Sequence, residues 1–445
     1  MHTWYEQAVF YHIYPLGLLG AEKTNTLTET AHRLTELESW IPHISDLNGS
    51  AIYIGPLFES CTHGYDTKDF RLVDRRLGSN EDFARFVRRC HENGIRVVVD
   101  GVFNHTGREF FAFQDIREKR EASPYKDWYR GVNFGWGSPL GDPFGYEAWQ
   151  GHFELPCLNL WNPEVRQYLF DSIRFWVDNF DIDGIRLDCA NVLDFGFMKE
   201  LREKTSAMKP DFWLMGEVIH GEYNRWVNPE MLHSVTNYEL HKALYSGHND
   251  HNYFEIAHNV RRLEAVGRSL YTFVDNHDED RIASKLNNLA NLFPVYQLLF
   301  TLPGIPSVYY GSEWGIEGKR SRTSDEVLRP ALNLSDMHGK APELASHIAA
   351  LGKIHTENDA FHNGSYKELL LTNRQYAFSR SGEHGTVISA VNNDEQPASI
   401  SIPLPCAASD AVSLLPGEIP FSLENGRLSV TLPANGGAIF KLQEV

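Results

Sequence analysis

Short apolar runs, rich in β-branched and aromatic residues, alternate with longer stretches of helical periodicity from residue 8 to residue 309. Alternation of this kind is typical of strand–helix units whose strands pair in parallel. The runs that predict strands are 8–14, 51–54, 96–100, 184–187, 212–215, 234–237, 270–274 and 305–309, of which 234–237 is the weakest. Eight such units predict a (β/α)8 TIM barrel of the α/β class.

Local signals support this prediction in the stretch after the second strand. Ser79 is a suitable helix N-cap, Asp82 falls in the first turn, and Asn93-Gly94 ends the helical pattern. Four apolar residues between these ends share one helical face: Phe83, Phe86, Val87 and Cys90. The run at 95–99 is almost continuously apolar, which predicts a strand buried on both faces. Helices are also predicted over 163–179 and 197–209.

Two segments depart from the strand–helix pattern. About 60 residues rich in aromatics, Gly and Pro separate Asp100 from Asn162, which is enough for a small domain inserted after the third strand. After about residue 365, short alternating runs separated by turns predict a C-terminal antiparallel β-sandwich. The predicted domains are a barrel (1–105 and 156–365), an inserted subdomain (106–155) and a sandwich (366–445).

Charge and composition narrow the choice of partners. Hydrophobic residues make up 42% of the chain, which is ample for a large core, and the formal net charge is −18. Such a charge repels the phosphates of nucleic acids and acidic membrane surfaces, so a neutral ligand is expected. No run of 18 apolar residues and no signal peptide is evident, which predicts a cytoplasmic protein without a membrane partner.

The five cysteines are widely spaced and odd in number, and none forms a Cys-x-x-Cys pair. This distribution favours neither a disulfide framework nor a zinc site, and it is typical of a reducing compartment.

Acidic residues follow four of the predicted strands, at Asp100, Asp188, Glu217 and Asp278. One Asp after a strand is more often a helix cap or a salt-bridge partner. Several on one barrel rim repel one another, and this repulsion is usually tolerated only where chemistry needs it. Two carboxylates flanking a sugar suffice for glycoside hydrolysis with retention, and a third anion stabilises the oxocarbenium-like charge.

Four segments in this order resemble the ordered sequence regions of the α-amylase superfamily: 100–105 (DGVFNH), 184–191 (GIRLDCAN), 216–220 (GEVIH) and 274–278 (VDNHD). The resemblance covers essentially the whole chain. It implies that Asp188 is the nucleophile, Glu217 the general acid/base and Asp278 the transition-state stabiliser.

The same resemblance implies roles in substrate binding for four further residues. Arg186 keeps Asp188 ionised and oriented, and His105 and His277 hydrogen-bond the sugar next to the scissile bond. Tyr65, in the segment CTHGYDT at 61–67, stacks under the reacting sugar. Purely structural roles are the alternatives: a buried ion pair for Arg186, core packing for His105 and His277, and loop packing for Tyr65.

Within the superfamily, residues 155–159 (LPCLN) resemble the pattern of the neopullulanase and cyclomaltodextrinase group more than that of many α-amylases. Because the first predicted strand begins near residue 8, we expect a difference from that group, the lack of an N-terminal module, and Cys157 stands where Lys or Asp is common. No cofactor is expected for the chemistry. Asn104 matches a position that binds a structural calcium in many relatives, so a calcium site is a further hypothesis.

The predicted function is a retaining glycosidase that cleaves α-glucosidic bonds, mainly α-1,4, in maltooligosaccharides, cyclodextrins or starch-type α-glucans. One alternative is a glucanotransferase, in which a sugar hydroxyl instead of water resolves the intermediate. The other is a non-catalytic sugar-binding homologue, a class that usually lacks one of the carboxylates. The oligomeric state is not predicted.

Overall fold

The computed structural model describes residues 3–417 and 419–445. Eight short strands form one parallel sheet: β1 Phe10–Ile13, β2 Ala51–Ile54, β3 Arg96–Gly101, β4 Gly184–Leu187, β5 Trp213–Gly216, β6 Ser234–Val235, β7 Tyr271–Phe273 and β8 Ile305–Tyr309. Their order in the sheet is β6-β5-β4-β3-β2-β1-β8-β7. A parallel bridge between Thr236 and Tyr271 joins the two edges, so the predicted barrel is confirmed.

The strand bounds differ slightly from those predicted. β1 begins at Phe10 because its pairing with β2 begins there, opposite Ala51, although Ala8 and Val9 are buried as well. The weak prediction at 234–237 is a strand of two residues, Ser234–Val235, paired with Met215 and Gly216.

Helices cover the outside of the barrel. The α-helices are Pro15–Leu18, Leu34–Leu37, Trp40–Asp46, Asn80–Glu92, Phe111–Lys119, Pro163–Phe180, Phe195–Met208, Tyr238–Asn249, Tyr253–Arg262, Ile282–Lys285, Leu292–Thr301, Leu334–Met337 and Pro342–Glu357. In Asn80–Glu92 the Ser79 hydroxyl accepts from the N–H of Asp82, and the Asp82 carboxylate accepts from the N–H of Ser79. This capping box agrees with the start predicted there.

Two antiparallel hairpins follow the carboxyl ends of barrel strands. Phe58–Ser60 pairs with Thr67–Val73 after β2, and Ala148–Trp149 pairs with His152–Pro156 after β3. Loops in these positions form one face of a barrel, the face on which active sites lie. The boundaries at 105/106, 155/156 and 365/366 stay predictions.

The C-terminal part contains two antiparallel sheets. One has the strand order Ser365–Leu371, Gln375–Gly382, Gly385–Asn392, Gly436–Glu444, Ala408–Ser413, and the other Ala398–Pro403, Arg427–Leu432, Phe421–Glu424. Ile388, Leu428 and Phe440 belong to a buried apolar cluster that both sheets share. Two layers around one apolar core agree with the predicted C-terminal sandwich.

Polar contacts join this part to the barrel. The Gln297 amide donates to the carbonyls of Ala390 and Ala438 at 3.0 and 3.1 Å. The buried guanidinium of Arg380 donates to the Thr301 carbonyl at 3.0 Å. Within 3–417 and 419–445, no helix has both the length and the apolar character required to cross a membrane.

Candidate active site

The predicted catalytic carboxylates lie beyond the carboxyl ends of β4, β5 and β7. Leu187 of β4 pairs with Gly216 of β5, so Asp188 and Glu217 leave the sheet side by side. The N–H of Glu217 donates to the Leu187 carbonyl at 2.9 Å, which continues the ladder by one step. Asp278 lies in the turn after β7, where its N–H donates to the Asn276 side chain at 2.9 Å.

Arg186 is the cation at the centre of this group. Its Nη1 contacts Asp100 Oδ1 at 2.9 Å and Asp188 Oδ1 at 2.8 Å, and its Nη2 contacts Glu217 Oε2 at 3.0 Å. The guanidinium is buried, so these contacts form in a low-dielectric environment where they are strong. One arginine therefore compensates three carboxyl groups on adjacent strands and fixes their positions.

The distance between Asp188 and Glu217 bears on whether hydrolysis by this pair would retain or invert the configuration of the sugar. One carboxyl oxygen of each lies within 4.8 Å of the other. Carboxyl groups about 5 to 5.5 Å apart are typical of retaining glycosidases, whereas inverting enzymes need about 6.5 to 9.5 Å to admit a water. The observed geometry leaves room for direct attack on a sugar carbon by one carboxylate.

Glu217 is held in an environment that favours its protonated form. Burial raises the pKa of Glu217 to about 7, the negative charges of Asp188 and Asp278 add to this effect, and Arg186 opposes it. A carboxyl group with this pKa is able both to donate and to accept a proton near neutral pH.

Asp278 is held in its ionised form. Burial acts against its charge, but His277 and Arg329 keep the pKa of Asp278 well below its ordinary value. Arg329 Nη2 lies 2.8 Å from Asp278 Oδ1, and His277 Nε2 lies 3.0 Å from Oδ2. Glu217 and Asp278 therefore face one cavity in different protonation states. Two carboxyl groups with such different pKa values are typical of acid/base sites.

The predicted sugar-binding residues surround these carboxyl groups. The hydroxyl of Tyr65 lies 2.5 Å from His277 Nε2, and the two rings are stacked with centroids 5.8 Å apart. Burial lowers the pKa of His105 to about 4, so its ring is neutral at pH 7. His105 Nε2 is buried without a hydrogen-bond partner among the described residues, and the ring stacks on Trp149 at 6.1 Å.

These side chains line one open cavity of about 870 Å³, to which Tyr65, His105, Asp188, Glu217 and Asp278 all contribute. Arg186 lies beneath it. The structure therefore brings the predicted site residues together.

Sequence reasoning missed other parts of the cavity. Trp149 and Glu154 come from the hairpin after β3, residues 320–325 form a further wall, and Arg329 contacts Asp278. Arg329 gives no local signal, since it lies in an irregular segment far along the chain from its partner. The aromatic content of the segment that contains Trp149 was the one sequence feature that could have indicated a part in sugar binding.

Cys189 was also missed. Its Sγ lies 2.9 Å from Asp188 Oδ2, and its main-chain N–H donates to Glu217 Oε2 at 3.0 Å. Burial and the adjacent Asp188 raise the pKa of this thiol well above its ordinary value, so it is protonated and donates to the carboxylate.

Asn104, the residue of the calcium hypothesis, is buried. Its amide nitrogen lies 3.1 Å from His105 Nδ1 and 4.0 Å from Cys157 Sγ. Calcium requires six to eight oxygen ligands, and the Asn104 side-chain atom able to supply one is Oδ1, which these two contacts do not involve. The calcium site stays an untested prediction.

Comparison with known proteins gives consistent matches. The family model described as alpha amylase, catalytic domain, matches residues 25–341. A cyclomaltodextrinase of Geobacillus thermopakistaniensis is 30% identical in an alignment that covers 99% of this chain and 78% of that protein.

Two solved structures match over nearly their full length. The debranching enzyme of Nostoc punctiforme has a TM-score of 0.85 and 27% identity, covering 99% of this chain and 100% of that one. The ligand-free cyclic α-maltosyl-(1→6)-maltose hydrolase of Arthrobacter globiformis has a TM-score of 0.83 and 25% identity, with 98% of each chain covered.

Proposed function

This chain belongs to the α-amylase family of glycosidases, and on that premise we propose that it hydrolyses α-glucosidic bonds, mainly α-1,4, with retention of configuration. The substrates are maltooligosaccharides, cyclodextrins or starch-type α-glucans. The observation that carries the proposal is the approach of Asp188 and Glu217 to within 4.8 Å in one cavity. Enzymes of this family need no cofactor for the chemistry.

In the first step Asp188 attacks the anomeric carbon of the bound sugar. Arg186 holds Oδ1, which leaves Oδ2 to form the new bond. The bond from the anomeric carbon to the leaving oxygen breaks, and that oxygen takes the proton of Glu217. The products are a glycosyl ester on Asp188, an ionised Glu217 and a released sugar with a free hydroxyl.

In the second step a water replaces the released sugar. Ionised Glu217 accepts a proton from this water, its oxygen bonds to the anomeric carbon, and the ester bond to Asp188 breaks. Asp188 leaves as a carboxylate and Glu217 is protonated again. Two displacements on one carbon restore its starting configuration.

Other residues stabilise the charge and hold the ring. Asp278 is ionised, so it stabilises the positive charge that develops on the sugar in both steps. Tyr65 offers an aromatic face to the ring. His105 lines the cavity and is neutral, and its Nε2 has no hydrogen-bond partner among the described residues, so we assign it the binding of a sugar hydroxyl.

The names of the relatives support short or cyclic α-glucans as the substrate class. One relative is named a cyclomaltodextrinase, and one solved structure is a hydrolase of a cyclic maltosyl-maltose. The cavity has walls from the hairpin after β3 and from residues 320–325, an enclosure that fits a short glucan segment.

A substrate panel tests the proposal: maltotriose, β-cyclodextrin, pullulan, soluble starch and cyclic α-maltosyl-(1→6)-maltose, with products resolved by chromatography. We expect glucose and maltose from maltotriose and linear products from a cyclic substrate. Products longer than maltotriose would indicate transfer to a sugar hydroxyl in place of hydrolysis. No product from any member of the panel would contradict the proposal.

A further inference from the structure

Cys189 touches both reacting carboxyl groups, and the two displacements described above give it no role. Its thiol donates to Asp188 Oδ2, and its main-chain N–H donates to Glu217 Oε2. The geometry points to Cys189 as a positioning residue that orients the attacking oxygen of Asp188 and sets its distance from Glu217. This inference rests on the proposed function.

The two oxygens of the Asp188 carboxylate have different partners. Arg186 contacts Oδ1, and among the described hydrogen bonds of Asp188 the thiol is the one that reaches Oδ2. A carboxylate turns about its terminal bond in a broad energy well, so one contact leaves its second oxygen poorly oriented. With both oxygens held, Oδ2 faces the anomeric carbon in one orientation.

The strength of the donor to Oδ2 affects the nucleophilicity of Asp188. A thiol is a weak hydrogen-bond donor, weaker than a hydroxyl. A strong donor on Oδ2 would stabilise the anion and reduce its nucleophilicity, whereas a weak donor orients the oxygen and leaves its lone pairs available. The Cys189 thiol is buried, so water does not compete for this bond.

The backbone of Cys189 lies in the left-handed region, with φ 51° and ψ 39°. A residue other than glycine is strained there, and such strain persists at sites where the surroundings enforce it. The turn directs the N–H to Glu217 on the neighbouring strand while the side chain returns to Asp188. If β4 continued as a regular strand, the N–H and the thiol of Cys189 would not both reach these two carboxyl groups.

The test compares Cys189→Ala with Cys189→Ser. Both variants keep a β-carbon at a position with positive φ, so their backbone strain is similar. They differ mainly in whether the side chain donates a hydrogen bond. We expect Cys189→Ala to lower kcat on maltotriose about 5- to 10-fold, with KM within about twofold. Loss of the thiol donor destabilises the Asp188 carboxylate. The acidic limb of the kcat/KM profile should therefore move to higher pH by roughly half a unit.

Cys189→Ser restores a donor that orients Oδ2, so we expect its kcat to exceed that of Cys189→Ala. The hydroxyl is a stronger donor than the thiol, so this kcat should stay below that of wild type, and the acidic limb should lie at or below the wild-type position. The charged and titratable groups around Asp188 are unchanged in both variants: Asp100, His105, Arg186, Glu217 and Asp278. Cys406→Ser, in the loop between the strands Ala398–Pro403 and Ala408–Ser413, is the thiol control and should leave both parameters unchanged.

Three results distinguish the possibilities. An inactive wild type on the whole substrate panel would overturn the proposed function, and with it this inference. An active wild type with the same kcat and acidic limb in Cys189→Ala would overturn the positioning role alone. Equal losses of thermal midpoint in both variants, with no shift of the acidic limb, would show that the thiol only fills space and would also overturn the role.

Discussion

At the scale of single residues, the surroundings of Glu217 are the most informative feature of the site. Its side chain is 12% exposed and lies near two anions, while one guanidinium opposes their effect. The sum of these influences raises the pKa of Glu217 to about 7. A raised pKa has consequences for both turnover and folding stability.

The consequence for turnover is an alkaline limit near pH 7. Glu217 must be protonated in the free enzyme to donate to the leaving oxygen, so kcat/KM should fall as the pH rises through about 7. Initial rates on maltotriose between pH 4 and pH 9 measure this limb. A profile that is flat up to pH 9 would contradict the assignment of Glu217 as the acid.

The consequence for stability has a definite sign. The pKa of Glu217 in the folded protein lies above its ordinary value of 4.5, so its contribution to stability is fully present below about pH 4.5 and is lost as the pH rises through about 7. Glu217→Gln does not titrate and should gain stability relative to wild type between pH 5 and pH 9, by at most roughly 3 kcal/mol. A difference in thermal midpoint that does not change with pH would contradict the raised pKa.

Asp188→Asn tests the nucleophile. The amide retains the shape of the side chain but lacks the charge that attacks, so we expect at least about a thousandfold loss of kcat on maltotriose. Arg186 keeps its contacts with Asp100 and Glu217, so the thermal midpoint should stay close to that of wild type. The control Asp171→Asn, on an exposed surface of the helix Pro163–Phe180, should retain full activity. Retained turnover in Asp188→Asn would refute the role.

At the scale of elements, the end of β5 depends on Gly216. A β-carbon there would lie 2.6 Å from Leu232 Cδ1 and 2.7 Å from the β-carbon of Ala190. Gly216→Ala should therefore destabilise the fold by about 1 to 3 kcal/mol and lower kcat, because Glu217 is the next residue.

Gly267→Ala is the matched control for this substitution. A β-carbon at Gly267 would have its nearest neighbour at 3.8 Å, so the variant should change the free energy of unfolding by less than about 0.5 kcal/mol. Thermal and urea unfolding together with kcat measure both variants. Equal stability of the two would show that β5 tolerates a side chain at 216.

The strand ends were predictable from sequence for a physical reason. Runs such as 95–99 are apolar on both faces, and the acid after each run stands at a position fixed by the strand itself. Asp188 and Glu217 could therefore be placed on one rim before their distance was known. The contact between Arg329 and Asp278 could not, because it depends on the path of an irregular loop that no periodicity describes.

At the scale of the whole molecule, the C-terminal sheets stabilise the barrel at the end opposite the site. Arg380 donates to the carbonyls of Thr301, Phe361 and Gly364, and Thr301 precedes β8 at its amino end. Sequence patterning predicted both the barrel and the sandwich, but the partners of Arg380 depend on how the two pack, which alternation within each does not specify.

Arg380→Ala should therefore affect stability and leave catalysis unchanged. It leaves three buried carbonyls without a donor and creates a cavity, so we expect a loss of about 3 kcal/mol or more in the free energy of unfolding. Below the new thermal midpoint, kcat on maltotriose should match wild type. Arg427→Ala, an exposed arginine in the same part of the chain, should change little. A loss of kcat in folded Arg380→Ala would show that the sheets influence the site directly.

Retention by double displacement requires a covalent bond between Asp188 and the sugar, and this bond can be trapped. A fluorinated α-glucosyl fluoride, which slows the second displacement, is incubated with the enzyme, and the denatured protein is analysed by intact mass and peptide mapping. We predict a mass increase of one glycosyl unit, with the ester on Asp188. Turnover without an adduct, or an adduct on a different carboxylate, would contradict the account.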